Sequence, residues 1–89
     1  MNHVCIDIDV WCNWDNNPPV YRVYVDQEML AERTFTLEPV RHYIQEHIEV
    51  FLDSGWHDVR VENCTGPTVK FVTNNVKVNG QATGTTFLV

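Results

Sequence analysis

Apolar and polar residues alternate along several short stretches of this chain. In the first stretch, from about residue 3 to residue 12, every second residue is apolar, whereas the residues between include two aspartates. Such a pattern is typical of a β-strand that covers a core with one face only. The predicted inward set is Val4, Ile6, Ile8, Val10 and Cys12, and the predicted outward set is Cys5, Asp7, Asp9 and Trp11.

Seven further short runs predict strands, at residues 20–26, 29–37, 47–53, 56–63, 68–73, 76–78 and 85–89. The four glycines and four prolines fall between these runs or at their ends, as expected for a β-fold. A hairpin is predicted around Asp26-Gln27-Glu28, and Asn79-Gly80 predicts a tight turn. Residues 1–89 are therefore expected to form one all-β domain, a single antiparallel β-sandwich or jelly roll of roughly eight short strands.

The segment from Pro39 to Gly55 fits two structures. Its apolar residues recur at helical spacing, with Pro39 at a suitable first position and Gly55 at a suitable stop. Yet residues 48–53 alternate and contain β-branched side chains, which favours a strand. We expect a strand at 47–53 after an irregular crossing segment, and the alternative is an α+β fold with a helix at about 40–53.

The order of these elements resembles the small jelly-roll domains of carbohydrate-binding modules, especially the compact xylan-binding kind. Four fragments carry the resemblance: residues 21–30 (YRVYVDQEML), 43–52 (YIQEHIEVFL), 55–63 (GWHDVRVEN) and 71–80 (FVTNNVKVNG). The resemblance implies a jelly-roll fold and a sugar-binding surface. Similar free-standing jelly rolls occur as accessory proteins of phage particles, and this implies a second kind of role.

Xylan-binding modules hold their sugar through a calcium ion that is bound by acidic loop residues. In the corresponding segment this chain has Thr73, Asn74 and Asn75, without an acid. Calcium sites usually include carboxylates. We therefore expect no cofactor.

Charge and hydropathy exclude two classes of partner. The formal net charge is −6, and 12 acidic residues stand against 6 Lys and Arg. A phosphate-binding surface needs clustered cations, so nucleic acid and anionic membranes are not expected as partners. No apolar stretch approaches the roughly 20 residues of a membrane span.

The first ten residues lack the basic start of a signal peptide, which predicts synthesis in a host cytoplasm.

The three cysteines do not form a closed disulfide framework. Cys5 and Cys12 lie on opposite faces of one predicted strand, so they cannot bridge each other. A bridge from either one to Cys64 stays open, and reduced thiols are the favoured interpretation. The four histidines show no ligand spacing with acids or cysteines, and we predict no metal site.

One loop and one strand carry the candidate contact residues. Aromatic faces with nearby amides and carboxylates can stack on and hydrogen-bond a ligand, and exposed aromatic residues can mark an association surface. The alternative is that one tryptophan plugs the end of the sandwich. The candidates are Trp11, Trp14, Asp15, Asn16, Asn17, Tyr21 and Phe51.

Other polar residues are expected to have structural roles. Asp7 and Asp9 are expected to be solvated or paired with Arg22 or Arg60. His57 shares its parity with the apolar residues of its strand, which predicts an inward, hydrogen-bonded histidine at the sheet margin. No catalytic residues are predicted, because the chain has no catalytic motif.

These features favour a binding or assembly role. The leading hypothesis is a non-enzymatic virion accessory protein, a capsid decoration (cement) or tail-associated subunit located in the virion. Its partners would be a major capsid or tail protein, with homo-oligomers as a further option. The alternative is a carbohydrate-binding module that contacts a glycan.

Overall fold

The computed structural model describes residues 1–14, 17–37, 42–66 and 68–89. The strands are β1 (Asn2–Asn13), β2 (Val20–Val25), β3 (Glu28–Thr34), β4 (Tyr43–Leu52), β5 (Trp56–Asn63), β6 (Lys70–Val78), β7 (Gln81–Ala82) and β8 (Thr86–Leu88). These ranges contain no helix, and the predicted all-β sandwich is confirmed. Among the described residues, no helical segment has the length and hydropathy that a membrane crossing requires.

Two four-stranded antiparallel sheets form the sandwich. Sheet I has the strand order β4-β1-β6-β7, and sheet II has the order β3-β2-β5-β8. Among the eight described strands, β2 and β3 and likewise β6 and β7 are neighbours both in the chain and in a sheet, whereas all other consecutive strands belong to different sheets. The predicted hairpin at residues 26–28 is confirmed.

The core lies between the inner faces of the two sheets. The predicted inward set of β1 is confirmed, because Val4, Ile6, Ile8 and Val10 are fully buried and Cys12 is 1% exposed. Val23 of β2 and Val59 of β5 face them from sheet II. Complete burial of one such aliphatic side chain stabilises the fold by roughly 1.5–3 kcal/mol. Alternation along β1, β2 and β5 thus supplies much of this interior.

Strand β4 begins earlier than predicted. It covers Tyr43–Leu52, so the alternative helix is wrong for this part of the chain, and the rest of that helix, residues 40 and 41, lies outside the described residues. The inward positions of β4 include Glu46 between Ile44 and Ile48. A charged residue at an inward position interrupts the apolar alternation. For this reason the sequence pattern predicted an irregular segment where β4 begins.

Strand β6 replaces the two strands predicted at 68–73 and 76–78. Asp7 pairs with Lys77 and Asp9 pairs with Asn74, so β6 holds one extra residue in a β-bulge. Asn75 has a φ of 55° and its side-chain amide donates to Oδ2 of Asp9 at 2.9 Å. The asparagine pair therefore bends the strand without ending it.

The predicted turn at Asn79-Gly80 is confirmed. Both residues have positive φ, 52° and 81°, as a two-residue hairpin turn of type I′ requires. It joins β6 to β7, a two-residue strand that the sequence pattern did not indicate.

All three cysteines are free thiols. Cys5 and Cys12 lie on opposite faces of β1, as predicted. Burial in the core raises the pKa of the Cys12 thiol to about 11. Desolvation also raises the pKa of the Cys64 thiol.

Of the two expectations for Asp7 and Asp9, solvation or pairing with Arg22 or Arg60, the pairing is wrong, and Asp9 is only 7% exposed rather than solvated. Arg22 and Arg60 belong to sheet II, on the other side of the core, where they pair with Glu32 and Glu62. The two aspartates contact residues of sheet I instead.

Candidate functional site

The outer face of sheet I carries a regular ladder of polar and aromatic side chains. Because the inner residues of β1 and β4 are fixed in the core, the alternate residues of both strands project outward. The outward cross-strand pairs are His3–Phe51, Cys5–Glu49, Asp7–His47, Asp9–Gln45 and Trp11–Tyr43. Two clusters with different chemistry result.

The first cluster is an aromatic patch formed by Trp11, Tyr43 and Val72. The ring centroids of Trp11 and Tyr43 lie 4.8 Å apart, with an interplanar angle of 35°. Val72 pairs with Trp11 from the other side and is 54% exposed, while Tyr43 is 47% exposed. Three neighbouring strands thus place apolar surface in contact with solvent.

A groove of about 410 Å³ adjoins this patch. Besides Trp11 and Val72, its lining includes Asn13, Lys70 and Asn74. The Trp11 Nε1–H is buried and has no hydrogen-bond acceptor among the described residues. The groove therefore combines an aromatic wall with amide and ammonium donors.

The second cluster is a polar ladder formed by His3, Cys5, Asp7, His47 and Glu49. His3 Nε2 lies 3.2 Å from Glu49 Oε1, and Cys5 Sγ lies 3.9 Å from the same oxygen. His47 Nδ1 lies 2.6 Å from Asp7 Oδ1, and its Nε2 lies 3.8 Å from Glu49 Oε2. The hydrogen bond to Asp7 and its negative charge raise the pKa of His47.

A buried cluster connects the two sheets at one edge. Glu46 of β4 accepts hydrogen bonds from the Tyr21 hydroxyl and from the guanidinium of Arg33, whose Nη2 lies 3.1 Å from Oε2. The pKa of Arg33 is raised, chiefly by its hydrogen bond to this carboxylate. Because the Glu46 carboxylate is buried and accepts from residues of the opposite sheet, the cluster is suited to holding the two sheets together.

The sheet margin around His57 is a second structural cluster. His57 Nδ1 lies 2.6 Å from Asp26 Oδ2, and Nε2 lies 2.7 Å from the carbonyl oxygen of Asp53. The side chain of His57 is only 14% exposed, which confirms the predicted inward, hydrogen-bonded histidine. These contacts raise the pKa of His57, and the hydrogen bond from His57 lowers the pKa of Asp26.

A cavity of about 320 Å³ opens between the sheets near β5, β6 and β8. Asp58, Arg60, Thr73 and Thr85 contribute to its lining, with apolar residues at its base. None of the sequence-predicted contact residues that the structure describes borders it.

The structure separates most of the predicted contact residues. Trp14 packs against the core, and its Nε1 donates to the carbonyl of Leu37 at 3.0 Å, which matches the alternative of a tryptophan plug. Tyr21 is fully buried, so its prediction as a contact residue is wrong. Its hydroxyl donates a hydrogen bond to the Glu46 carboxylate. Asn17 is exposed, and Asp15 and Asn16 lie outside the described residues.

Trp11 and Phe51 stand on the same outer face, as their phase predicts, but at opposite ends of it. Phe51 is 64% exposed, and the centroid of its ring lies 5.3 Å from that of His3. Along β4, Phe51 is eight residues from Tyr43. At about 3.4 Å per residue, roughly 27 Å separate the two ends. The outer face therefore has two aromatic ends with the polar ladder between them.

Sequence reasoning missed Tyr43, Val72 and the convergence of His3, Cys5 and Glu49. The available signal for the last group was the alternation His3-x-Cys5-x-Asp7 on one strand and His47-x-Glu49 on another. Spacing within each strand indicates a shared face, but only the β1–β4 register shows which residues meet.

Comparisons of the chain with protein-family models, with curated proteins and with solved structures found no match. The resemblance to xylan-binding modules and to phage accessory proteins therefore stays a prediction from the sequence.

Proposed function

We propose that this chain is a non-enzymatic binding module that acts through protein–protein contacts, and that the outer face of sheet I is its contact surface. The observation that carries the proposal is the aromatic patch of Trp11, Tyr43 and Val72, which is held open to solvent by three paired strands. Aromatic side chains give large contact areas at low cost in conformational entropy, and they dominate many protein interfaces.

The dimensions of the molecule fit this role. Its two longer principal extents are 42 and 22 Å, and a protein interface of ordinary size covers about 800 Å² of each partner. The aromatic patch and Phe51 would supply apolar contacts at the two ends of such an interface. The polar ladder between them would supply hydrogen bonds and orientation.

The narrower form of the proposal is a virion accessory protein, a decoration or tail-associated subunit that covers a seam between capsid or tail proteins. A small domain of this kind gains stability when it is buried against its neighbours, because binding to the native state shifts the folding equilibrium. The exposed patch on this small domain supports this form.

Trp56 provides a matched control for the test. It is 70% exposed and lies on sheet II, so Trp56→Ala removes an exposed tryptophan without touching the patch. The experiment sediments the tagged chain with particle fractions purified from its natural source on a density gradient. Trp11→Ala and Tyr43→Ala should release the chain from the particles, and Trp56→Ala should not. A chain that sediments alone, or equal losses in all three variants, contradicts the proposal.

The groove favours a second candidate function, glycan binding. An aromatic wall formed by Trp11, with the amides of Asn13 and Asn74 close by, can stack on a sugar ring and hydrogen-bond its hydroxyls. A glycan array decides between the two. A signal that Trp11→Ala abolishes and Trp56→Ala preserves would support the glycan, and no signal alongside particle association would support the protein partner.

A further inference from the structure

The side chains of His3, Cys5 and Glu49 form a convergent set of metal-ligand atoms on sheet I. Their ligand atoms all lie within 4.8 Å of one another. In a tetrahedral zinc site, bond lengths of about 2.0–2.3 Å place neighbouring ligand atoms roughly 3.3–3.7 Å apart. The observed separations, 3.2 Å from His3 Nε2 to Glu49 Oε1 and 3.9 Å from Cys5 Sγ to that oxygen, bracket this range.

The ligands stand on rigid elements. Cys5 and Glu49 are directly opposite each other in the β1–β4 register, and His3 is two residues from Cys5 on the same face. The neighbouring inward residues Val4 and Ile6 are fully buried and fix the backbone of β1. Only side-chain torsions have to adjust when an ion binds.

The Cys5 backbone is held from a second side. Its N–H donates to the Asn79 side-chain oxygen at 2.9 Å, and its carbonyl accepts from the Asn79 N–H at 2.8 Å. The thiol is therefore presented from a position that the β6–β7 turn fixes.

His47 and Asp7 complete the surroundings of this set. Metal-binding histidines commonly donate one ring N–H to a carboxylate, which leaves the other nitrogen free to bind the metal. His47 has this arrangement: Nδ1 lies 2.6 Å from Asp7 Oδ1, and Nε2 faces Glu49 Oε2 at 3.8 Å. His47 thus lies beside Glu49 but outside the set of mutually close ligand atoms, and a rotation of its side chain has to bring the imidazole in as a fourth ligand.

We propose that His3, Cys5 and Glu49 bind a zinc ion on the outer face of sheet I, with His47 as the fourth ligand and Asp7 as the residue that orients it. The donor chemistry selects the metal: a thiolate and imidazoles suit Zn²⁺, whereas calcium and magnesium require oxygen ligands. The negative charge of the thiolate and the Glu49 carboxylate is neutralised by the ion. About half of the His3 side chain and more than half of that of Glu49 are exposed, so the ion can enter from solvent.

The test titrates the reduced, metal-free wild-type chain with ZnCl₂ by calorimetry and with CoCl₂ by absorption spectroscopy. One equivalent of metal should bind, and cobalt should give the charge-transfer band of a thiolate ligand. Cys5→Ser should abolish that band and weaken zinc affinity by far more than tenfold. Cys64→Ser is the matched control, because Cys64 is an exposed thiol that directly follows β5 of sheet II. This variant should leave both signals unchanged.

Two further variants separate a ligand from an orienting residue. His3→Gln should weaken zinc affinity as strongly as Cys5→Ser, while keeping the cobalt–thiolate band at saturating metal. Asp7→Asn should weaken affinity by about 10–100-fold, the usual effect of losing an orienting carboxylate. Equal zinc affinities in the wild type and in the Cys5→Ser variant would overturn the proposal.

A measurement on the wild-type chain keeps the proposal testable if a variant does not fold. Zinc should slow the alkylation of Cys5 by iodoacetamide, as measured by peptide mass spectrometry, and should leave the alkylation rate of Cys64 unchanged. Equal rates at Cys5 with and without zinc would overturn the proposal.

Discussion

The hydroxyl of Tyr21, in the second strand of sheet II, donates a 2.6 Å hydrogen bond to the carboxylate of Glu46, in an outer strand of sheet I. Tyr21 is fully buried and Glu46 is 2% exposed. Arg33, in the outer strand of sheet II, donates to both oxygens of the same carboxylate. The two sheets are therefore tied at one edge by an ion pair and a phenol.

Removal of Arg33 should destabilise the fold, because it leaves a buried carboxylate without its cation. Loss of one partner from a fully buried pair costs about 3–5 kcal/mol, and since the Arg33 side chain is 51% exposed, we expect about 2–4 kcal/mol for Arg33→Met. Urea denaturation measures this. The surface pair of Arg60 and Glu62 gives the control, and Arg60→Met should cost about 1 kcal/mol or less.

Replacement of the whole cluster should reverse part of that loss. The triple variant Arg33→Met, Glu46→Met, Tyr21→Phe removes the buried charge together with both donors, so no polar atom of the cluster is left without a partner. We expect it to be more stable than Arg33→Met alone in the same urea experiment. A triple variant that is less stable than Arg33→Met would contradict this prediction, because the interactions lost with Glu46 and Tyr21 would then outweigh the cost of the unpaired carboxylate.

Tyr21 should not ionise while the chain is folded. Burial, followed by the hydrogen bond to Glu46, raises the pKa of Tyr21 far above its ordinary value. In the unfolded chain the phenol ionises near pH 10, so its contribution to stability is complete below about pH 10 and is lost as the pH rises further. In an alkaline titration, the phenolate absorbance of Tyr21 should appear together with the loss of the far-UV circular dichroism. Tyr21→Phe should remove that late component, and a late component in this variant contradicts the assignment.

The inner face of β1 could be predicted from alternation alone. Val4, Ile6, Ile8 and Val10 repeat with period two, and this period specifies a strand with one buried face. The Asn79-Gly80 turn was equally predictable, because few other residue pairs tolerate two successive positive φ angles.

The contacts between strands could not be predicted in the same way. Glu46 has the same parity as the inward residue Ile48, but its partner Arg33 lies in the other sheet. No spacing in the sequence indicates that these two residues meet. Similarly, the meeting of Cys5 with Glu49 depends on the register between β1 and β4. The bulge in β6 was hidden because Asn74-Asn75 resembles a strand break. Its explanation is the pairing of Asn74 with Asp9 together with the side-chain hydrogen bond from Asn75 to the Asp9 carboxylate.

The stability of the chain should depend on pH through the pair of His57 and Asp26. The raised pKa of His57 contributes stability that is complete below about pH 6.5 and is lost as the pH rises through the folded-state pKa. The lowered pKa of Asp26 contributes stability that is present above about pH 4 and is lost as the pH falls through its folded-state pKa. Both contributions are therefore complete between about pH 4 and pH 6.5.

Urea denaturation at a series of pH values, in the presence of a chelator, measures this dependence. His47 also has a raised pKa, so the informative quantity is the difference in free energy of unfolding between the wild type and His57→Gln. That difference should be largest below about pH 6.5 and should shrink as the pH rises. His42→Gln, at an exposed histidine, is the control. A difference that does not vary with pH would contradict the prediction, because it would mean that His57 has the same pKa in the folded and the unfolded chain.

Asn79 should contribute to stability in two separable ways. Its φ of 52° lies in the left-handed region, which costs an alanine roughly 1–2 kcal/mol, and its side-chain oxygen accepts the N–H of Cys5 at 2.9 Å. Asn79→Gly keeps the backbone conformation and loses only the hydrogen bond, for which we expect about 1 kcal/mol. Asn79→Ala loses both, so urea denaturation should show a further loss of about 1 kcal/mol. A Cβ atom at Gly80 would meet nothing within 4 Å, so Gly80→Ala tests the backbone conformation alone. At a φ of +81° this variant should also lose about 1 kcal/mol of stability. An unchanged stability would show that the turn adopts another conformation at no cost.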